Sequence, residues 1–167
     1  MLEKRSRSMS TELKEVVLIH GVFRPDFFAT LRKGGKDVVV LEGRPCLAAA
    51  REACAHLSKI HILPTVMADN MAGYLFSKGL VKEIWLASEA VDKKGAMCEI
   101  GALILAVLGK KHKVSVFTFP AGRKNKPLGK SDDLQKFNGQ KVVTTKVKAF
   151  VPLIEWVPAK YLSRFMV

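Results

Sequence analysis

The sequence predicts a doubly wound α/β fold, a mainly parallel sheet with helices on both faces. Three observations predict it. Short runs rich in Val and Ile recur along the chain, segments with apolar residues at helical spacing separate them, and runs such as VVV and IWLA are apolar on both faces. Parallel strands covered by helices on each side carry that last pattern. Strand and helix alternating four times over imply right-handed crossovers and place the ligand site beyond the carboxyl ends of the strands.

The predicted strands, in order, are 15–20, 37–42, 60–66, 83–88 and 113–119. The predicted helices between them are 25–34, 45–58, 69–78 and 97–110. Two of these open on a proline, Pro25 and Pro45, which suits the first turn, and Asp69 reads as an N-cap. Gly34, Gly79 and Gly109 fall near helix ends, where a left-handed residue is favoured. Residues 121–140 combine Gly, Pro and charge without periodicity, so they read as a long basic loop or lid. From residue 141 the pattern is β-rich again, and 158–165 reads as a short amphipathic segment. The expected organisation is a basic, flexible tail over 1–14 and one domain over 15–167.

With 167 residues, 49% hydrophobic and 26% charged, the chain can fill one core. No apolar run reaches the ~20 residues a membrane span needs, and no signal peptide opens the chain, so the cytoplasm is the expected location. Cys46, Cys54 and Cys98 contain no CxxC pair, which favours free thiols over a disulfide framework and gives no support to a metal site. No nucleotide or cofactor motif is present: residues 93–96 lack the spacing of a P-loop or of GxGxxG. The charge is the one extreme value. Against 28 Lys and Arg stand 15 Asp and Glu, a net of +13, which attracts polyanions without naming one. Arg123, Lys124, Lys126 and Lys130 of the long loop, with Lys4, Arg5 and Arg7 of the tail, are candidates for a polyanion surface or for plain solvated charge.

Polar residues gather at the predicted strand ends. Glu89 follows a buried strand and is a candidate general acid or base, or else a helix cap or salt-bridge partner. Arg44 has the planar fork that clamps a phosphate, and equally suits an ion pair with Glu42 or Asp69. His20 could shuttle a proton or hydrogen-bond the backbone. Lys94, before the predicted helix at 97, offers an anion seat, and Arg24, Asp69 and Asn70 complete the candidate ligand-binding set. Cys98 beside Glu99 reads as a thiol at a helix start whose ionisation the carboxylate opposes.

Taken in order, five stretches resemble a known family. They are VVLIHG, VVVLEGRP, TVMADNMAGYLFSKGLVKEIWLASEAV, GAMCEIGALILAVLGKKHKVSVFTFP and IEWVPAKYLSRF. They resemble the regulatory α, β and δ subunits of translation initiation factor 2B, with methylthioribose-1-phosphate isomerase and ribose-1,5-bisphosphate isomerase. The resemblance implies a Rossmann-like carboxy-terminal domain that pairs as a dimer. It also implies a site altered at particular positions. The isomerases place a cysteine at Gly21, an aspartate proton donor at Glu89 and a substrate-holding Asn-Lys pair at Cys98-Glu99, and a glutamine of theirs falls at Ala48 or a neighbour. Their amino-terminal helical domain is expected to have no counterpart here, since the first predicted strand begins near Glu15. The resemblance therefore implies a non-catalytic or regulatory binding domain, homodimeric, with an anion or phosphorylated small molecule as its ligand. The alternatives are a degenerate aldose-ketose isomerase with Glu89 as acid/base, and RNA or other polyanion binding through the basic loop and tail.

Overall fold

The computed structural model describes residues 12–31 and 34–165. Five parallel strands and a short sixth form the expected sheet, in the order β10-β6-β4-β1-β2-β3. These are β1 Val16–His20, β2 Asp37–Leu41, β3 Thr65–Met67, β4 Val81–Asp92, β6 Ser115–Pro120 and β10 Arg164–Phe165. Two antiparallel strands, β5 Gly95–Glu99 and β9 Ile154–Pro158, extend it from the far end of β4.

The alternation along β1 shows why both faces are covered. Val16 and Leu18 pack with Val39, Leu41, Ile84 and Leu86 under α3 Ala72–Ser77 and α4 Ala102–His112. Val17 and Ile19 pack with Val38, Val40, Trp85 and Ala87 on the other face, under α1 Pro25–Thr30 and α2 Ala48–Lys59. Every residue of β1 is buried, as a central strand between two helical layers requires. The doubly wound α/β class is therefore borne out, and helices lie on both faces.

Several boundaries differ, each for a local reason. The predicted strand at 60–66 is only Thr65–Met67, because Pro64 has no N–H to give the ladder and Leu63 stands exposed. The helix expected over 97–110 is two elements. Asp92 Oδ1 accepts the N–H groups of Lys94 (2.6 Å) and Gly95 (3.1 Å), the chain reverses, and Gly95–Glu99 returns as β5 before α4 starts at Ala102. The second helix starts at Ala48 rather than 45, after a turn containing a cis Arg44–Pro45 bond. The first ends at Thr30. Asp69 opens a 3-10 turn, Asp69–Met71, ahead of α3, with Ala68 rather than Asp69 in the cap position. Gly109 lies inside α4 pressed on Val116 and Ile84, and Lys113 takes the left-handed position instead.

The segment 121–140 is not structureless. It holds α5 Ser131–Gln135 and a hairpin of β7 Lys136–Phe137 and β8 Gln140–Lys141, turned by Asn138 and Gly139 at positive φ. Beyond it, 142–153 is irregular apart from a bridge between Leu128 and Pro152, and the closing segment is a 3-10 turn, Ala159–Tyr161, followed by β10. Of the basic tail, residues 1–11 lie outside the described residues. No helix among the described residues is long and apolar enough to cross a membrane.

Candidate functional site

The carboxyl ends of β1, β2, β3, β4 and β6 meet above the sheet, and the loops leaving them are tied together by side chains. Asp69, just past β3, accepts the N–H of Gly43 at Oδ1 (3.0 Å) and of Arg44 at Oδ2 (2.7 Å), which fixes the turn after β2. His20, at the end of β1, is 2% exposed. Its Nε2 lies 2.9 Å from the Ile100 carbonyl, an acceptor only, so the ring proton is assigned to that nitrogen. Its Nδ1 has no hydrogen-bond partner and faces Asp69 Oδ1 at 4.0 Å.

A second layer lies over β4. Glu89 Oε1 accepts from both the backbone N–H (2.8 Å) and the side-chain amide (2.9 Å) of Asn125. The same amide donates to Glu99 Oε1 (3.2 Å), so one asparagine bridges the two carboxylates. Arg123 adds its guanidinium to Glu99 at 3.4 Å and stands 3.9 Å from Glu52 of α2. Such charge-assisted contacts between a loop and strand ends are stronger than neutral ones. The free space left among Arg44, Glu99, Ile100, Arg123 and Asn125 is about 10 Å³. That is room for about one water, whereas small-molecule sites run to about 300 Å³ or more.

Of the predicted site residues, the fold brings together His20, Arg44, Asp69, Glu89, Glu99 and Arg123. Arg44 makes neither expected ion pair. Its Nη2 donates to the Leu134 carbonyl (3.3 Å), and its guanidinium lies 4.6 Å over the Phe137 ring. Cys98 is not at a helix start but in β5, fully buried, and burial pushes its thiol up to about 12. It stays protonated and unreactive at neutral pH. Lys94 does not precede a helix: it is exposed in the β4–β5 turn, so the expected anion seat is not formed. Arg24 turns outward to Asp26 (2.9 Å), and Asn70 is exposed. Lys124, Lys126 and Lys130 are exposed, while Arg123 is drawn into the site rather than left on a basic surface.

Sequence reasoning missed Asn125, Glu52 and Glu155. Glu155 Oε1 accepts the N–H groups of Gly101 (2.7 Å) and Leu103 (2.9 Å), which caps α4 from β9. Among the described residues, no group of three His, Cys, Asp or Glu is arranged to hold a metal ion.

The model of the Initiation factor 2 subunit family matches this chain over residues 15–166. The chain belongs to that family. A methylthioribose-1-phosphate isomerase of Caldicellulosiruptor saccharolyticus is 32% identical over 157 residues, 86% of this chain and 44% of the relative. One of Carboxydothermus hydrogenoformans is 31% identical over 156 residues, again 86% of this chain and 44% of the relative. The chain thus spans less than half the length of these curated relatives. Among solved structures, the delta subunit of translation initiation factor eIF-2B from A. fulgidus superposes with a TM-score of 0.76 at 19% identity, over 92% of this chain and 52% of that one. The 5-methylthioribose 1-phosphate isomerase of Pyrococcus horikoshii gives 0.74 at 19%, over 93% and 50%. The family resemblance read from the residues is borne out, and the structures confirm the fold.

Within the family fold, one position shows how far this backbone has settled. Gly21, where the resemblance implies a cysteine in the isomerases, has φ +96°, and a Cβ there would lie 2.8 Å from Ala87 Cβ. The turn leaving β1 is built for glycine.

Proposed function

We propose that this chain is a non-catalytic binding domain of the Initiation factor 2 subunit family, with a strand-end cleft closed by its own loop. The observation that carries this reading is the Asn125 bridge. Both carboxylates that could move a proton, Glu89 and Glu99, are engaged by Asn125, and Arg123 covers Glu99. A general acid must reach its substrate within hydrogen-bond distance, and the space beside Glu99 and Asn125 holds about 10 Å³. The same contacts weigh against a phosphate pocket, since a phosphorylated molecule would have to displace Arg123 and Asn125 and would then meet two carboxylates.

The second reading, a degenerate sugar-phosphate isomerase, is favoured by the names of the relatives and by the carboxylate at Glu89. Turnover of methylthioribose-1-phosphate and ribose-1,5-bisphosphate by the full chain and by Glu89→Gln separates the two. The proposal expects no turnover by either. Turnover by the natural chain that Glu89→Gln abolishes would establish the isomerase.

The binding partner we assign is a second copy of this chain, seated on α4. Ile104 is 65% and Val107 40% exposed on that helix, beside Ile100 and Leu103 along an open groove of about 500 Å³. Adjacent large apolar side chains on a surface mark an interaction site. Light scattering at tens of micromolar should give twice the chain mass, and Ile104→Glu should halve it. A monomeric natural chain, or an unchanged mass in the variant, would remove the assignment.

A further inference from the structure

We propose that the hairpin region beyond β6 is a docking surface for single-stranded nucleic acid, with lysines for the phosphates and exposed Phe150 as a stacking face. Residues 121–150 carry eight Lys or Arg against two Asp. Six of the eight are not consumed by ion pairs. Among the described residues, no ion pair joins Lys124, Lys126, Lys130, Lys141, Lys146 or Lys148 to a carboxylate. In the hairpin, Lys136 and Lys141 are direct cross-strand partners, and like charges at facing positions cost stability. Only Lys136 is relieved, by Asp132 at 3.0 Å.

Three of the cations line a concavity rather than a flat face. Gln135 holds the segment that follows the hairpin: its carbonyl accepts the Val142 N–H (2.8 Å), and its side-chain amide donates to the Val147 carbonyl (3.3 Å). The resulting cleft, about 310 Å³, is walled by Lys136, Lys141 and Lys146 with Thr144 and Thr145. Hydroxyls and ammonium groups around one hollow suit phosphate oxygens. In the same stretch of chain, the Gly129 N–H donates to the Val151 carbonyl (2.8 Å), and Leu128 bridges Pro152, which brings Lys130 and Phe150 to the same end of that pairing. Phe150 is 76% exposed. Phe137 is already stacked under Arg44, so Phe150 is the open ring.

Interleaved cations and exposed aromatic rings are how proteins hold unpaired strands, since every base offers a face to stack and every nucleotide a phosphate. A single small anion would need only one of these lysines. An anionic membrane would call for a flat face rather than a walled cleft.

The test uses the full chain and a fluorescent 20-nucleotide oligouridine, with the same-length duplex and phosphatidylglycerol vesicles as competitors. With about four phosphates contacted, affinity for the single strand should fall about 50-fold between 50 and 200 mM salt. Lys141→Glu/Lys146→Glu should weaken it at least tenfold. Phe150→Ala should weaken it about tenfold, and Phe150→Trp should retain it. Both alanine and tryptophan variants should keep the fold intact, because the side chain is mostly exposed; an unchanged unfolding midpoint verifies this for every variant. Equal affinity for duplex, tighter binding to vesicles, a flat salt response or an indifferent Phe150→Ala would each overturn the proposal. So would full affinity in the double lysine variant, which would trace the binding to the basic residues at the start of the chain.

Discussion

Gly21→Cys, which places a thiol at the end of β1, is expected to destabilise the fold by about 3 kcal/mol, combining a side chain at positive φ with a close approach to the core. The geometry behind the number is specific. Gly21 has φ +96°, and an added Cβ meets Ala87 Cβ at 2.8 Å. Ala87 is buried in the middle of β4, between Trp85 and Glu89 on the strand that carries the candidate acid. It cannot retreat without moving β4 against β1, which pair in register from Val17 to His20. The denaturant midpoint of the variant should drop accordingly. A variant as stable as the natural chain would show that the β1 turn can relax to accept a side chain.

Asp69→Ala carries the second large effect, a loss of about 3 kcal/mol, because two backbone N–H groups lose a charged acceptor at once. Gly43 and Arg44 donate to the two oxygens at 3.0 and 2.7 Å, and among the described residues no other acceptor reaches those groups. Arg44 would be released from its position over Phe137 as the turn loosens. Asp69→Asn, which keeps one carbonyl acceptor, should lose about half as much. Equal stability of Asp69→Ala and the natural chain would mean that the turn after β2 is held by something other than this carboxylate.

The parts of the fold legible in the sequence were those with a pattern of their own. VVLIH, DVVVL and IWLA announce strands buried on both faces, and the structure packs successive residues of each into opposite layers. The helix expected over 97–110 is part strand in the structure because these residues are apolar nearly throughout, so helical and extended spacing fit equally. The discriminating signal was the Asp92 to Gly95 turn, an aspartate and a glycine at the two ends of a four-residue reversal. The hairpin at 136–141 had its signal too, Asn138-Gly139, hidden in a segment read as a loop.

The site divided along the same line. His20, Asp69 and Glu89 were legible because a strand end is a predictable place. Asn125 and Arg123 reach Glu89 and Glu99 across 24 to 36 residues of chain. Nothing local in RKNK foretells which carboxylates it will meet. Arg123 was therefore grouped with the exposed lysines beside it, when it is the one cation of that run drawn into the cleft.

The measurement that bears most directly on the closed cleft is a thermal shift of the full chain with millimolar methylthioribose-1-phosphate or ribose-1,5-bisphosphate, alongside Arg123→Ala. A ligand that binds only the folded chain raises its melting temperature in proportion to the logarithm of one plus the ratio of ligand concentration to dissociation constant. With Arg123 and Asn125 in place, the natural chain should shift by less than about 1 °C, within what ligand at or below its dissociation constant produces. A rise of about 3 °C or more in the natural chain, lost in Arg123→Ala, would show instead that the arginine belongs to an open phosphate site.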